Sequence, residues 1–341
     1  MAHALTSPTY VQSLRKTLHD VMDQDPAVVV LGEDILDPYG GAFKVTRGLS
    51  TRFPDRVLTT PICEGTIAGA SVGLALRGMR PVAELMFGDF ATLATDQIIN
   101  HAAKFPAMYN GQVTVPLVIR MPMGGRRGYG PTHSQSLERL FVGTPHIKVV
   151  APSHFHDAGA MLRAAIYDAE PVIFVENKVL YPQRLRLEAT DTLISRESVG
   201  APDSYPTVVL RNYAPTEQPD VTVIAYGGMS YLLAPLMARL VEEEIRVLAC
   251  MPGCLSPLDE TPLLEAARAT GRVVVVEENS ADFGWGAEVA ARIYGACYAQ
   301  LRAPVVRLGA APTVIPAAKA LEDAALVSDE SLLSAIMEVL S

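Results

Sequence analysis

Thr59-Thr60-Pro61-Ile62-Cys63-Glu64-Gly65-Thr66-Ile67-Ala68-Gly69 opens a small-residue run that continues to Leu76. Arg80-Pro81-Val82-Ala83-Glu84-Leu85-Met86-Phe87 follows four residues later. Pro61 stands where a helix begins, and the Ala- and Gly-rich stretch 64–76 predicts a closely packed helix. The apolar run 80–86 predicts a strand. A helix feeding a continuously apolar strand is the unit from which parallel sheets with covered faces are built.

The same alternation extends in both directions. Upstream, 11–22 has the spacing of an amphipathic helix and 28–32 reads as a buried strand. Downstream come a helical periodicity over 90–104, a strand over 115–121 and a glycine-rich loop over 124–130. A strand at 147–151, a helix at 156–168 and a strand at 171–176 complete this part. From 185 to 216 Arg, Glu, Pro and Ser mix with weak periodicity, which predicts an inter-domain connection containing at most short strands. A second alternation then begins, with strands at 221–226, 246–250, 272–277 and 305–308. Its helices are predicted at 230–243, 287–298 and 329–340. The expected class is α/β with two parallel-sheet domains, 1–190 and 216–341, joined by a linker over 191–215.

With 341 residues the chain exceeds one ordinary core, so two domains are the natural expectation. A net charge of −9 without a basic stripe argues against a nucleic-acid partner. No apolar run reaches the roughly 20 residues that span a bilayer. The first residues lack the charged-then-apolar pattern of a secretory signal, so a cytoplasmic protein is expected. The four cysteines form no C-x-x-C pair and the seven histidines show no metal-ligand spacing. Reduced thiols and the absence of a transition-metal site follow as expectations.

Two stretches carry candidate chemistry. Glu64 is either a first-turn acid favoured by the helix dipole or a carboxyl whose proton affinity is tuned in a pocket. The loop Met123-Gly124-Gly125-Arg126-Arg127-Gly128-Tyr129-Gly130-Pro131-Thr132-His133-Ser134-Gln135-Ser136 is either a solvated surface loop or a mobile segment approaching a ligand. In the second case His133, among hydroxyl and amide neighbours, is a proton donor, and Arg126 and Arg127 meet an anionic substrate. Asp282-Phe283-Gly284-Trp285-Gly286 is a tight turn opening a helix. The residues by themselves lead to a two-domain α/β enzyme with a site near Glu64 and His133.

Gly32-Glu33-Asp34, Gly40-Gly41-Ala42-Phe43, Arg47-Gly48-Leu49, Thr60-Pro61-Ile62-x-Glu64, Gly78-x-Arg80-Pro81-Val82-x-Glu84, Asp96-Gln97-Ile98-Ile99-Asn100, His133-Ser134-Gln135-Ser136 and Pro171-Val172-Ile173-Phe174-x-Glu176 occur in that order. In this series the chain resembles the beta subunits of thiamine-diphosphate-dependent 2-oxoacid dehydrogenases, of the pyruvate, branched-chain and acetoin type. They are distant relatives of transketolase. The resemblance implies a transketolase-like pyrimidine-binding domain followed by a transketolase C-terminal domain. It implies oxidative decarboxylation of a 2-oxoacid with acyl transfer to lipoamide. Glu64 then matches the carboxyl that shares a proton with the cofactor's aminopyrimidine, with burial raising its pKa toward neutrality. Phe90 matches the ring that stacks on the pyrimidine, Ile62 and Met86 its apolar neighbours, and His133 the histidine that assists acylation of the lipoyl group.

The G-D-G motif that holds the diphosphate and Mg²⁺ is missing from the sequence. The resemblance therefore implies an alpha subunit in an α₂β₂ assembly carrying the other half of the site. It implies a lipoyl-bearing acyltransferase as further partner. A potassium site of some relatives maps to Leu117, Ala165, Ile166 and Asp168. Two departures stand out: Thr59 where Asp is usual before Thr-Pro, and the segment Met251 to Asp259 where an Asp-Leu-Arg element is usual. The second bears on docking and on the usual substrate. The alternative on the same scaffold is a carboligase of split-transketolase type that transfers a two-carbon unit without lipoamide.

Overall fold

A computed structural model describes residues 7–188, 193–201 and 204–341. In its first half the order is α1 (Tyr10–Gln24), β1 (Val28–Gly32), α2 (Leu49–Arg52), β2 (Val57–Thr59), α3 (Glu64–Leu76), β3 (Arg80–Glu84), α4 (Ala91–Asp96), α5 (Phe105–Met108), β4 (Val118–Met123), β5 (Lys148–Val150), α6 (Ala158–Tyr167) and β6 (Val172–Asn177). Then follow β7 (Ser195–Val199), β8 (Thr207–Arg211), β9 (Val221–Ala225), α7 (Ser230–Glu242), β10 (Val247–Pro252), β11 (Cys254–Ser256), α8 (Thr261–Thr270), β12 (Val273–Ser280), α9 (Trp285–Cys297), β13 (Val306–Ala310), α10 (Lys319–Ala325) and α11 (Asp329–Leu340).

The strands form two sheets, ordered β11-β5-β6-β4-β3-β1-β2 and β13-β12-β9-β10-β8-β7. In the first sheet every pairing is parallel except β11 with β5. In the second, β13, β12, β9 and β10 run parallel, and β8 and β7 close the edge antiparallel. The α/β class with two mostly parallel sheets is thus as the alternation predicted. Fully buried strands such as β1 and β10 are apolar on both faces because helices cover both.

The stretch 191–215 supplies β7 and β8 to the second sheet, while residues 191, 192, 202 and 203 lie outside the described residues. The departing segment 251–259 supplies β11, which adds to the edge of the first sheet beside β5. One apolar core accordingly runs from Leu31, Ile67 and Ile119 of the first unit to Ile224, Val275 and Trp285 of the second. A second core fills the space between the first sheet and α1 and α6, and a third packs α7 and α11 on the second sheet.

Local sequence accounts for the helix that carries Glu64. Ile67, Ala68, Val72 and Ala75 are buried at helical spacing, while the opposite face presents Thr66, Ala70 and Gly73. Ser71 falls in a G-x-S-x-G string, yet it sits inside this helix and donates to the Ile67 carbonyl at 2.7 Å. It is a helix-interior serine and not an exposed nucleophile. The predicted 90–104 helix is segmented: a 3-10 turn over Gly88–Phe90, α4, then a π-helical turn over Gln97–Ala102.

Candidate active site

Glu33 follows β1, Glu64 begins α3 just beyond β2, and Met86 to Phe90 follow β3. The glycine loop follows β4, and Lys178 follows β6. All these strands run parallel, so the residues gather along one edge of the sheet, at its carboxyl ends. Open α/β sheets place their ligands there.

Glu64 is only 3% exposed, whereas Ile62 two residues earlier is 81% exposed. Among the described residues no side-chain or backbone donor bonds the Glu64 carboxylate. Met86 and Phe90 are half-buried. Phe90 lies 5.2 Å from His133 and Phe87 lies 4.7 Å from it, both edge to face. The structure therefore brings Phe90 and His133 together. Thr132 Oγ1 lies 2.9 Å from His133 Nδ1, and Asp89 beneath accepts from the Gln135 side chain at 2.9 Å.

Glu33 is a site residue that the sequence reading passed over. It is buried, its Oε1 has no partner, and its carboxyl is pushed from the ordinary 4.5 up to about 6. Burial is the main cause, followed by the neighbouring charge of Glu64. Its signal was available, since an acid directly after an all-apolar strand lies at the carboxyl edge. A raised carboxyl pKa costs the folded state stability above pH 6 and nothing below about 4.5. Glu33→Gln should therefore stabilise the isolated chain by about 1 kcal/mol at pH 8, with the gain vanishing near pH 4.5. Urea unfolding at the two pH values measures this, and an equal effect at both would remove Glu33 from the charged pair.

Beneath the site Arg120 is fully buried. It binds Glu176 through two bonds of 2.7 Å and Glu84 at 2.5 Å. Tyr181 Oη donates to Glu176 at 2.6 Å.

Arg126 and Arg127 each donate to a backbone carbonyl, Val327 at 2.5 Å and Lys178 at 2.9 Å, and tie the loop down through one end of the guanidinium. The turn before α9 gives the Trp285 and Gly286 N–H groups to Glu277, 3.0 Å away. The turn is thus capped by a carboxylate of its own sheet. At the positions matched to a potassium site, the Leu117 carbonyl accepts from the Val172 N–H at 2.8 Å and the Ile166 carbonyl accepts from Arg80 at 2.9 Å. The Asp168 carboxylate accepts from Lys148 at 2.7 Å and from Tyr205 at 2.9 Å. Each carbonyl keeps a second lone pair, so a potassium ion is compatible with the position but not needed to satisfy it. Among the described residues no group of three or more His, Cys, Asp or Glu side chains is arranged to hold a metal, and no helix is long and apolar enough to cross a membrane.

A parallel sheet with a buried carboxyl, a stacking ring and a loop histidine at its carboxyl edge, fused to a second α/β unit, defines a class of two-domain ligand-binding enzyme. Comparison with known proteins names it. Residues 6–184 match the transketolase pyrimidine-binding domain and residues 213–332 the transketolase C-terminal domain. The 2-oxoisovalerate dehydrogenase subunit beta of Bacillus subtilis is 35% identical over 97% of this chain and 98% of its own length. The mitochondrial pyruvate dehydrogenase E1 component subunit beta-1 of Arabidopsis thaliana is 35% identical over 96% and 88%. The acetoin:2,6-dichlorophenolindophenol oxidoreductase subunit beta of Cupriavidus necator is 35% identical over 91% and 92%. A solved split-gene transketolase, described as an inactive beta4 tetramer, aligns with a TM-score of 0.70 at 23% identity over 97% of this chain and 98% of its own, and speaks for the fold alone. The chain belongs to the family of 2-oxoacid dehydrogenase beta subunits, built on the transketolase pyrimidine-binding and C-terminal domains.

Proposed function

We propose that this chain is the beta subunit of a thiamine-diphosphate-dependent 2-oxoacid dehydrogenase. With an alpha subunit it decarboxylates a 2-oxoacid oxidatively and passes the acyl group to a lipoyl-bearing acyltransferase. The observation that carries this reading is the pair of carboxyls at the sheet's carboxyl edge, Glu64 without a donor in its own chain and Glu33 with a buried, unpaired Oε1. A buried carboxyl without a partner is costly unless a ligand supplies one, and the nitrogen of a flat heterocycle would do so.

Thiamine diphosphate, when bound, supplies the electron sink for decarboxylation. The chain's own residues orient it. Glu64 would hold a proton at the pyrimidine N1′, and Phe90, Ile62 and Met86 would supply the apolar surfaces that hold that ring. His133 delivers a proton during acyl transfer. Arg126 and Arg127 have guanidinium donors left for an anionic substrate. The diphosphate and its Mg²⁺ fall to the alpha subunit in an α₂β₂ assembly, because the sequence has no G-D-G motif. Potassium at Leu117, Ala165, Ile166 and Asp168 is part of the proposal, supported by the lone pair left on each of the Leu117 and Ile166 carbonyls; there it would share Asp168 with the Lys148 ammonium. So is a cytoplasmic setting, supported by four free cysteines.

The test is reconstitution. The purified chain should be inactive alone. With its alpha subunit, Mg²⁺ and thiamine diphosphate it should reduce a dye at the expense of pyruvate or a branched-chain 2-oxoacid. Full turnover from the beta chain alone, or turnover only with a ketose phosphate, would overturn the assignment.

A further inference from the structure

The glycine loop has an unusual backbone. Gly124, Arg126, Gly128 and Gly130 all take positive φ, at 93°, 69°, 69° and 76°. Turns of this kind leave backbone N–H groups free of sheet or helix partners and available to an anion. Two carboxylates of the second domain each take one N–H of this loop. Glu278 on β12 accepts from the Gly125 N–H at 2.8 Å, and Glu322 on α10 accepts from the Gly128 N–H at 3.1 Å. Glu322 is fully buried. A side chain at Gly130 would press on Ala317, its Cβ 3.2 Å from that of Ala317. The segment before and within α10 is therefore fitted to the loop.

The far end of the loop is held from below. The buried Lys178 donates through Nζ to the carbonyl of His133 and lies 5.0 Å from the Phe87 ring and 5.6 Å from the Tyr129 ring. The charges of Asp89, Glu278 and Glu322 act on Lys178, so one buried cation and three carboxylates bracket the loop. The backbone then turns directly into His133, whose N–H donates to the Gly130 carbonyl at 3.3 Å.

We propose that Glu322 is a positioning residue for His133: by anchoring the Gly128 N–H to α10 it fixes the loop, so that docking of the C-terminal domain sets the place of the acyl-transfer histidine. The role of His133 rests on the function proposed above, whereas the clasp itself does not. Lys178 and Glu278 hold the loop's two ends, and at its centre Glu322 acts beside the Arg126–Val327 and Arg127–Lys178 bonds. The C-terminal domain thus reaches the chemistry without touching substrate.

Two measurements separate the clasp from the function. The first is limited trypsin digestion of the full chain at the exposed Arg127–Gly128 bond. Glu322→Ala should speed this cleavage about tenfold. Glu322→Gln, which keeps an acceptor oxygen in the same volume but no charge, should speed it about threefold. If Glu322→Ala does not fold, Glu322→Gln decides. Cleavage at the wild-type rate in the deciding variant overturns the clasp. The second is kinetics of the reconstituted complex. Glu322→Ala should lower kcat for acylation of a lipoyl substrate at least tenfold, with KM for the 2-oxoacid within twofold and part of kcat restored by Glu322→Gln. A kcat at the wild-type value, or a loss that only follows a lowered melting midpoint, overturns the positioning role. If the wild-type complex has no activity, the proposed function fails while the digestion still decides the clasp.

Discussion

Glu64→Gln should reduce 2-oxoacid turnover of the reconstituted complex by two to four orders of magnitude, the range expected for a single proton-transferring group. Thiamine diphosphate should still bind within a few-fold. Glutamine matches glutamate in volume, and no protein donor bonds the carboxylate, so the exchange strands no partner inside the chain. Folding should be nearly unaffected, with unfolding midpoints close to wild type. Loss of turnover would then report chemistry. The amide can accept or donate a hydrogen bond at the pyrimidine nitrogen but cannot gain and lose a proton there. Steady-state turnover and isothermal titration of the cofactor on the same sample separate the two effects. Turnover above about a tenth of wild type would remove Glu64 from the proton-transfer role.

Much of this site was legible because it lies where strands end. The small-residue run 64–76 and the continuous apolar run 80–86 were read from composition, and α3 and β3 fall within them. The stretch 185–216 was harder. β7 is half-exposed along its length and β8 is only five residues long, so neither produced a sustained run. α8 was not foreseen at all, although Pro262, Leu263, Ala266 and Ala267 share its buried face. β11, three residues in an unusual segment, depends on a partner strand more than 100 positions earlier in the chain, which no local pattern discloses. The same holds for the site. Glu64 and His133 announced themselves by local context. Glu322 lies 194 residues from the loop it anchors, and an acid in an ordinary amphipathic helix carries no mark of what it will face.

Arg120→Met should cost about 3–5 kcal/mol of stability, the price of stranding buried charges. That is a large part of the 5–15 kcal/mol that holds a domain together. Arg120 bonds two carboxylates that have almost no water contact, Glu84 and Glu176. Burial already pushes the Glu84 carboxyl upward despite the guanidinium. Without the cation both carboxyls must either stay charged in an apolar setting or take up protons on folding. Their folded pKa values then rise above the unfolded ones, so the deficit is largest above neutrality and shrinks as pH falls toward 5. Urea unfolding at pH 8 and pH 5 should show that slope. Adding Glu176→Gln to Arg120→Met should recover part of the loss at pH 8, because one of the two stranded charges is gone. A variant within 1 kcal/mol of wild type at both pH values would show that water or rearrangement relieves the charges. Glu84 also bears on the chemistry: it ends β3 beside the Gly41 turn, and its charge contributes to raising Glu33. The triad thereby reaches Glu33 through the charge of Glu84, so an Arg120 variant should also alter the pH dependence of the Glu33→Gln stability gain.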